Sequence, residues 1–127
     1  MQTEGNDSLF TDGWEKDWHV ANGDEQLSRK LIPIFEAYLN DLHQKGVSKS
    51  TFKRHQNACS AIGSHIIHRV YGYELDKVEE SEPGIDILLR YVDADEGPLV
   101  FQSDEAWQRE VDATIRKLFK FLSRNTV

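Results

Sequence analysis

The chain has 127 residues and a mass of 14.7 kDa, with 15 basic against 22 acidic side chains and a formal net charge of −7. That length makes one domain the expectation, and a chain of this size buries roughly two-thirds of its unfolded surface without covalent staples. The charge balance excludes a uniformly basic nucleic-acid binder and a chain drawn by charge to anionic membranes, and the lone Cys59 excludes both an intramolecular disulfide and a Cys-rich zinc module.

Taken in chain order, the charge alternates in sign. Residues 1–26 carry seven acids and one base, and residues 27–73 carry two acids and seven bases. Residues 74–112 carry thirteen acids and three bases, and residues 113–127 four bases and no acid. The stretch 42–73 contains no Asp or Glu at all. Such an asymmetry asks for more than solubility.

Residues 1–26 read as a flexible acidic tail, rich in Gly, Asp, Asn and Thr without a sustained period. Trp14 and Trp18 are spaced four apart, on one face if that stretch is helical. Two readings stand for them: they dock the tail onto the domain, or they form an exposed anchor for a protein partner. The domain proper is then residues 27–127.

Over residues 27–45, Leu27, Leu31, Ile34, Phe35, Tyr38 and Leu42 recur at three- and four-residue steps, the pattern of an amphipathic helix. Pro33 fits best in the first turn, where its missing N–H costs nothing; otherwise it kinks a longer helix. Gly46 is the expected stop, and Ser48 or Ser50 the cap of the next helix. That helix spans about 50–71. Phe52, Cys59, Ile62, Gly63, Ile66 and Val70 fall on one face, and Lys53, Arg54, Asn57, Ala61, Ser64, His65 and His68 on the other.

An acidic connector, 74–82, leads through Ser81-Glu82-Pro83 into a short helix over about 82–91, followed by the breaker Asp93-Ala94-Asp95-Glu96-Gly97-Pro98. Leu99-Val100-Phe101 reads as a buried loop or a stub of strand. Ser103 is the expected cap of a last helix, with Trp107, Val111, Thr114, Ile115, Leu118 and Leu122 as its apolar stripe and Arg109, Arg116, Lys117, Lys120 and Arg124 opposite. The expected fold is all-α, a small four-helix bundle.

The order of parts resembles a known family. A Phe35-x-x-Tyr38-Leu39 helix leads into Gly46-Val47-Ser48-x-x-Thr51, then a helix of Lys53-Arg54-His55 type, then a short helix around Ile85-x-x-Leu88-Leu89. The close is Val111-x-x-x-Ile115-Arg116-Lys117-Leu118-Phe119-x-Phe121-Leu122. Together these are similar to the N-terminal SAM-like, core-binding domain of tyrosine recombinases and phage integrases, over roughly residues 29–124. The acidic connector, the long 93–105 insert and the acidic N-terminal tail depart from the family pattern.

The resemblance implies a SAM-like bundle whose second and fourth helices lie against double-stranded DNA. It maps that role onto Lys49, Lys53, Arg54, Asn57 and His65 on the second helix, and Arg116, Lys117 and Lys120 on the fourth. Cations there neutralise phosphates and release counterions, so binding is salt-sensitive and largely blind to sequence. The expected function is a non-catalytic DNA-binding module of DNA integration and recombination. The alternative is a protein–protein interaction module on the same fold, meeting its partner through Trp14, Trp18 or the acidic segments.

No catalytic activity is expected. The family's tyrosine nucleophile with its Arg and His cluster belongs to a separate C-terminal domain, and neither that cluster nor a GxSxG, phosphate-cradling or HExxH motif is present. No cofactor or metal is expected. His65 and His68 are three apart on a helix but lack further evident ligands, His55 and Cys59 being the nearest candidates. Asp93 to Gly97 superficially resembles a calcium loop, but its glycine comes one place early and the closing Glu is missing. Residues 1–12 do not read as a secretory signal and no apolar run reaches about 18 residues, so a cytoplasmic address is the default.

Overall fold

The computed structural model describes residues 9–92 and 104–124, and over these the chain is helical, without a strand. In order come α1 (Trp14–Trp18), α2 (Glu25–Gln44), α3 (Lys49–Ile67), α4 (Gly84–Leu89) and α5 (Glu105–Arg124). A π-helical turn, His68–Gly72, prolongs α3. No helix among the described residues is long and apolar enough to cross a membrane.

The joint between α2 and α3 is set by its own residues. Gly46 takes φ +74°, the left-handed region that ends helices, and its N–H donates to the His43 carbonyl (3.1 Å). Ser48 then caps α3: its Oγ accepts from the Thr51 N–H (3.1 Å) and donates to the Thr51 hydroxyl (3.0 Å). Of the two serines, Ser48 is therefore the cap. Pro33 is not in a first turn. Helix α2 begins at Glu25, so the proline lies in its third turn, on an exposed face where water reaches the carbonyl left unbonded.

The core is built from α2, α3 and α5, with Leu31, Phe35, Leu39, Ile62, Ile66, Ile115 and Leu118 fully buried. Cys59 is among them, and burial pushes its thiol pKa up. Helix α4 is shorter than the expected 82–91; it buries Ile87 and Leu88 against α2. On α5 the stripe holds for Val111, Thr114, Ile115, Leu118 and Leu122. Trp107 departs from it. It lies 40% exposed beside Arg54 and Glu110, in the first turn of α5, rather than inside the core. Asp104 caps this helix, its Oδ1 accepting from the Trp107 N–H (3.2 Å). The expected cap Ser103, the Leu99–Phe101 stub and the Asp93–Gly97 turn lie outside the described residues.

The reading of residues 1–26 as a flexible tail needs correction from Leu9 onward; residues 1–8 lie outside the described ones. Trp14 and Trp18 are buried, and each packs edge-on against Phe35 at ring separations of 6.0 and 6.1 Å. Thr11 donates its N–H and hydroxyl to Glu36 (3.0 and 2.8 Å), and Gln56 donates to the Phe10 carbonyl (2.8 Å). Two tryptophans bury more apolar area than a short polar segment needs to be held, so α1 belongs to the domain. Among the described residues there are thus five α-helices, where four were expected.

Asp24 locks the turn between α1 and α2. Its buried carboxylate accepts from the Val20 and Ala21 N–H groups (2.6 and 3.0 Å), and His19 Nδ1 lies 2.9 Å away. Burial alone would raise its pKa; the two amide donors and the imidazole outweigh burial and hold it below the ordinary carboxylate value. The hydrogen bond to Asp24 raises the His19 pKa. Asp24 therefore stabilises the fold above the ordinary carboxylate pKa, and the effect is lost as pH falls through the depressed one. The His19 contribution is present below the ordinary imidazole value and is lost as pH rises through the raised one. Asp24→Ala is expected to cost about 2 kcal/mol near pH 6, shrinking toward zero in acid. Urea midpoints of both proteins between pH 2 and pH 7 check this, and a difference independent of pH would refute it.

Candidate nucleic-acid interface

Helices α3 and α5 pack side by side and run antiparallel. Arg54 meets Glu110 (3.7 Å), His55 meets Thr114, and Val47, just before α3, shares a groove with Lys117, Lys120 and Ser123. On α3, Lys49, Lys53 and Asn57 follow at four-residue steps and all are exposed. On α5, Arg116, Lys117 and Lys120 are exposed as well. None of these five cations has an ion-pair partner among the described residues.

Lys117 and Lys120 belong to a groove of about 640 Å³. Its floor is Tyr38, Leu42, Val47 and Phe119, and its cationic rim is Lys45, Lys117, Lys120 and Arg124. The one acid in it, Asp41, is tied to Lys45 at 2.9 Å. Val47 also borders a second hollow with Lys49, His43 and Phe52. The Gly46–Ser48 joint is thus bordered by cations from α3, α5 and the C-cap of α2, and the amino-terminal dipole of α3 adds to the same positive field.

Beneath this rim lies a buried polar contact. His55 Nδ1 sits 3.2 Å from both the Tyr38 hydroxyl and the Thr114 hydroxyl, which suits an unprotonated nitrogen accepting from them. Burial, and then the nearby Lys117 charge, lower the His55 pKa. Burial likewise raises that of Tyr38. The imidazole is therefore neutral and structural.

Three of the expected site residues stand apart. His65 is half-buried at the other end of α3, edge-on to Tyr91 at 6.3 Å. Burial and Arg69 lower its pKa, so it offers no cation to the joint. Arg54 is half of an ion pair with Glu110, because α5 begins early enough to carry Glu105, Glu110 and Asp112; only its second half is free of acids. Arg116 is 100° around α5 from Lys117 and lines neither hollow at the joint.

His65 and His68 do not form a three-ligand group with any other described side chain. His68 Nδ1 lies instead 2.8 Å from the Ser64 carbonyl. The one such group among the described residues is His19, Asp24 and Glu25, where Asp24 is already engaged by two backbone amides.

Sequence reasoning missed Lys45 and Arg124 as members of the cationic rim, and His55 as a core residue. His55 had a visible signal: it completes Phe52, Cys59, Ile62 and Ile66 as a stripe of three- and four-residue steps. Lys45 had none, since its proximity to α5 follows from the turn at Gly46. Comparison with family models, with curated proteins and with solved structures returns no match.

Proposed function

We propose that this chain is a non-catalytic, cytoplasmic module that binds the backbone of double-stranded DNA, of the core-binding type seen in tyrosine recombinases. One observation carries the reading: Lys45, Lys49, Lys117, Lys120 and Arg124 surround the joint before α3, and the single acid in the groove is already paired. Along the chain the acid excess is carried by other segments, residues 1–26 and 74–112. Lys53 extends the cationic strip along α3, and the exposed amide of Asn57 follows it. The alternative, a protein-interaction module meeting its partner through Trp14, Trp18 or the acidic segments, loses its tryptophan anchor because both rings are in the core, and rests on the acidic segments alone.

Four phosphate contacts give a log–log salt slope of about −3.6, so affinity for a duplex should fall roughly 100-fold between 50 and 200 mM salt. The test is fluorescence anisotropy with a labelled duplex of arbitrary sequence. Reversing three charges (Lys49→Glu, Lys117→Glu, Lys120→Glu) should weaken binding by at least about 30-fold and flatten the slope. Lys77→Glu, on the acidic connector, should leave it unchanged. Absence of binding at about 10 µM protein in low salt, or a triple variant that binds like the parent, would overturn the reading.

A further inference from the structure

The groove holds more than phosphate recognition needs. Phosphates call for its cations, but not for a floor of Tyr38, Leu42, Val47 and Phe119. A volume of about 640 Å³ with an apolar base and a charged rim suits side chains that are themselves apolar within an acidic frame.

Such a feature exists on the same chain. Tyr73 and Leu75, two positions apart, are the most exposed large apolar side chains among the described residues, at 70% and 61%. Between them Glu74 takes φ +54°, a left-handed conformation that costs a residue with a Cβ about 1 kcal/mol or more. The surrounding contacts over-determine it. The Tyr73 N–H donates to the His68 carbonyl (2.7 Å), and the Leu75 N–H to the Arg69 carbonyl (2.8 Å). Arg69 grips Asp76 with two hydrogen bonds of 3.1 Å, and the Tyr91 hydroxyl donates to the same carboxylate (2.5 Å). A π-helical turn, a strained glutamate and an ion-pair clamp thus hold two apolar side chains out into solvent, and π-turns and backbone strain of this kind gather at functional positions. The connector 74–82 that follows Tyr73 holds five acids against Lys77, with Glu74, Glu79 and Glu80 exposed, and Arg90, which shares a hollow with Leu75, is paired with Glu82.

We propose that the Tyr73-Glu74-Leu75 knob of one copy seats in the α2–α5 groove of the next, Tyr73 and Leu75 on the apolar floor and the glutamates against Lys117, Lys120 and Arg124. The occupant is a second copy because both halves, complementary in charge and in apolar content, are on this chain and cannot meet within it. The groove adjoins the start of α3 and the knob follows its end, so the 19 residues of α3 separate them by roughly 28 Å. A contact between two different patches is head-to-tail and builds chains or rings of copies. A knob of two large side chains buries less than a standard interface, which makes the association weak and salt-sensitive.

Sedimentation equilibrium without DNA tests this independently of the DNA reading. At about 500 µM protein in low salt the average mass should rise to at least twice 14.7 kDa, and fall back in about 500 mM salt. Tyr73→Ser with Leu75→Ser removes the knob, and Lys117→Glu with Lys120→Glu disables the groove; all four positions are exposed, and circular dichroism verifies folding. Each double variant alone should stay monomeric. Their equimolar mixture should regain a complex, because one supplies an intact groove and the other an intact knob. A parent protein that remains monomeric, or a mixture that fails to associate while the parent does, would overturn the proposal. The knob variant keeps every cation of the rim, so its DNA affinity reports on the other reading separately.

Discussion

Adding one methyl group at Gly63 is expected to destabilise the fold by about 3 kcal/mol, at the upper end of what overpacking costs. A Cβ on that residue would lie 2.2 Å from Cζ2 and Cη2 of Trp18. The indole has nowhere to go. It is 1% exposed, packed against Trp14 and Phe35, with Nε1 donating to the Ser60 hydroxyl (3.4 Å). Gly63 is therefore the floor on which α1 rests. Trp18→Ala alone should cost about 3–5 kcal/mol through the cavity it leaves. The informative measurement is the double variant. Once the ring is gone, Gly63→Ala should change sign and stabilise by up to about 1 kcal/mol, the ordinary helix preference of alanine over glycine. Urea unfolding of the four proteins yields the coupling directly. Simple additivity would show that α1 does not rest on α3 at this point.

Gly84→Ala is the second large effect, expected at about 3 kcal/mol and a fall in Tm of roughly 10 °C. Here the obstacle is backbone. A Cβ would sit 2.3 Å from the Lys30 carbonyl oxygen, in the second turn of α2, where no rotamer change relieves it. Helix α4 must lift, and Ile87 and Leu88 leave a site in which both are fully buried. Lys30 resists that movement, since its ammonium donates to the Glu80 and Glu82 carbonyls (2.5 and 2.8 Å). Gly72→Ala is the matched control. Its Cβ would meet nothing closer than 3.6 Å, in His68, and its cost should be near zero. Thermal unfolding of the two variants side by side checks the contrast; equal losses would mean that the contact with Lys30 is not what selects glycine.

Both glycines mark the line between what could be read along the chain and what could not. Helices α2, α3 and α5 were legible because their signals are local. Apolar side chains at three- and four-residue spacing must share a face, Gly46 must end a helix where φ is positive, and Ser48 or Ser50 offers an oxygen to an unbonded N–H at the start of the next helix, a choice the structure made for Ser48. The alternation of charge was legible for the same reason, being a property of counting. Nothing local shows what a side chain will meet. Trp14 and Trp18 were visible as a pair that docks the N-terminal segment or forms an exposed anchor, with docking the favoured reading, but Phe35 and Gly63, which receive them, come from other helices and could not be named. The same limit governed the cations. The sequence by itself determined an all-helical chain with basic segments from 42 to 73 and after 112. The tertiary structure alone decided that Arg54 is neutralised by Glu110, that His65 is drawn off toward Tyr91, and that Lys45 and Arg124 join Lys117 and Lys120 around one groove. Charges act through space, with a range set by distance and screening, and distance between helices is what packing creates.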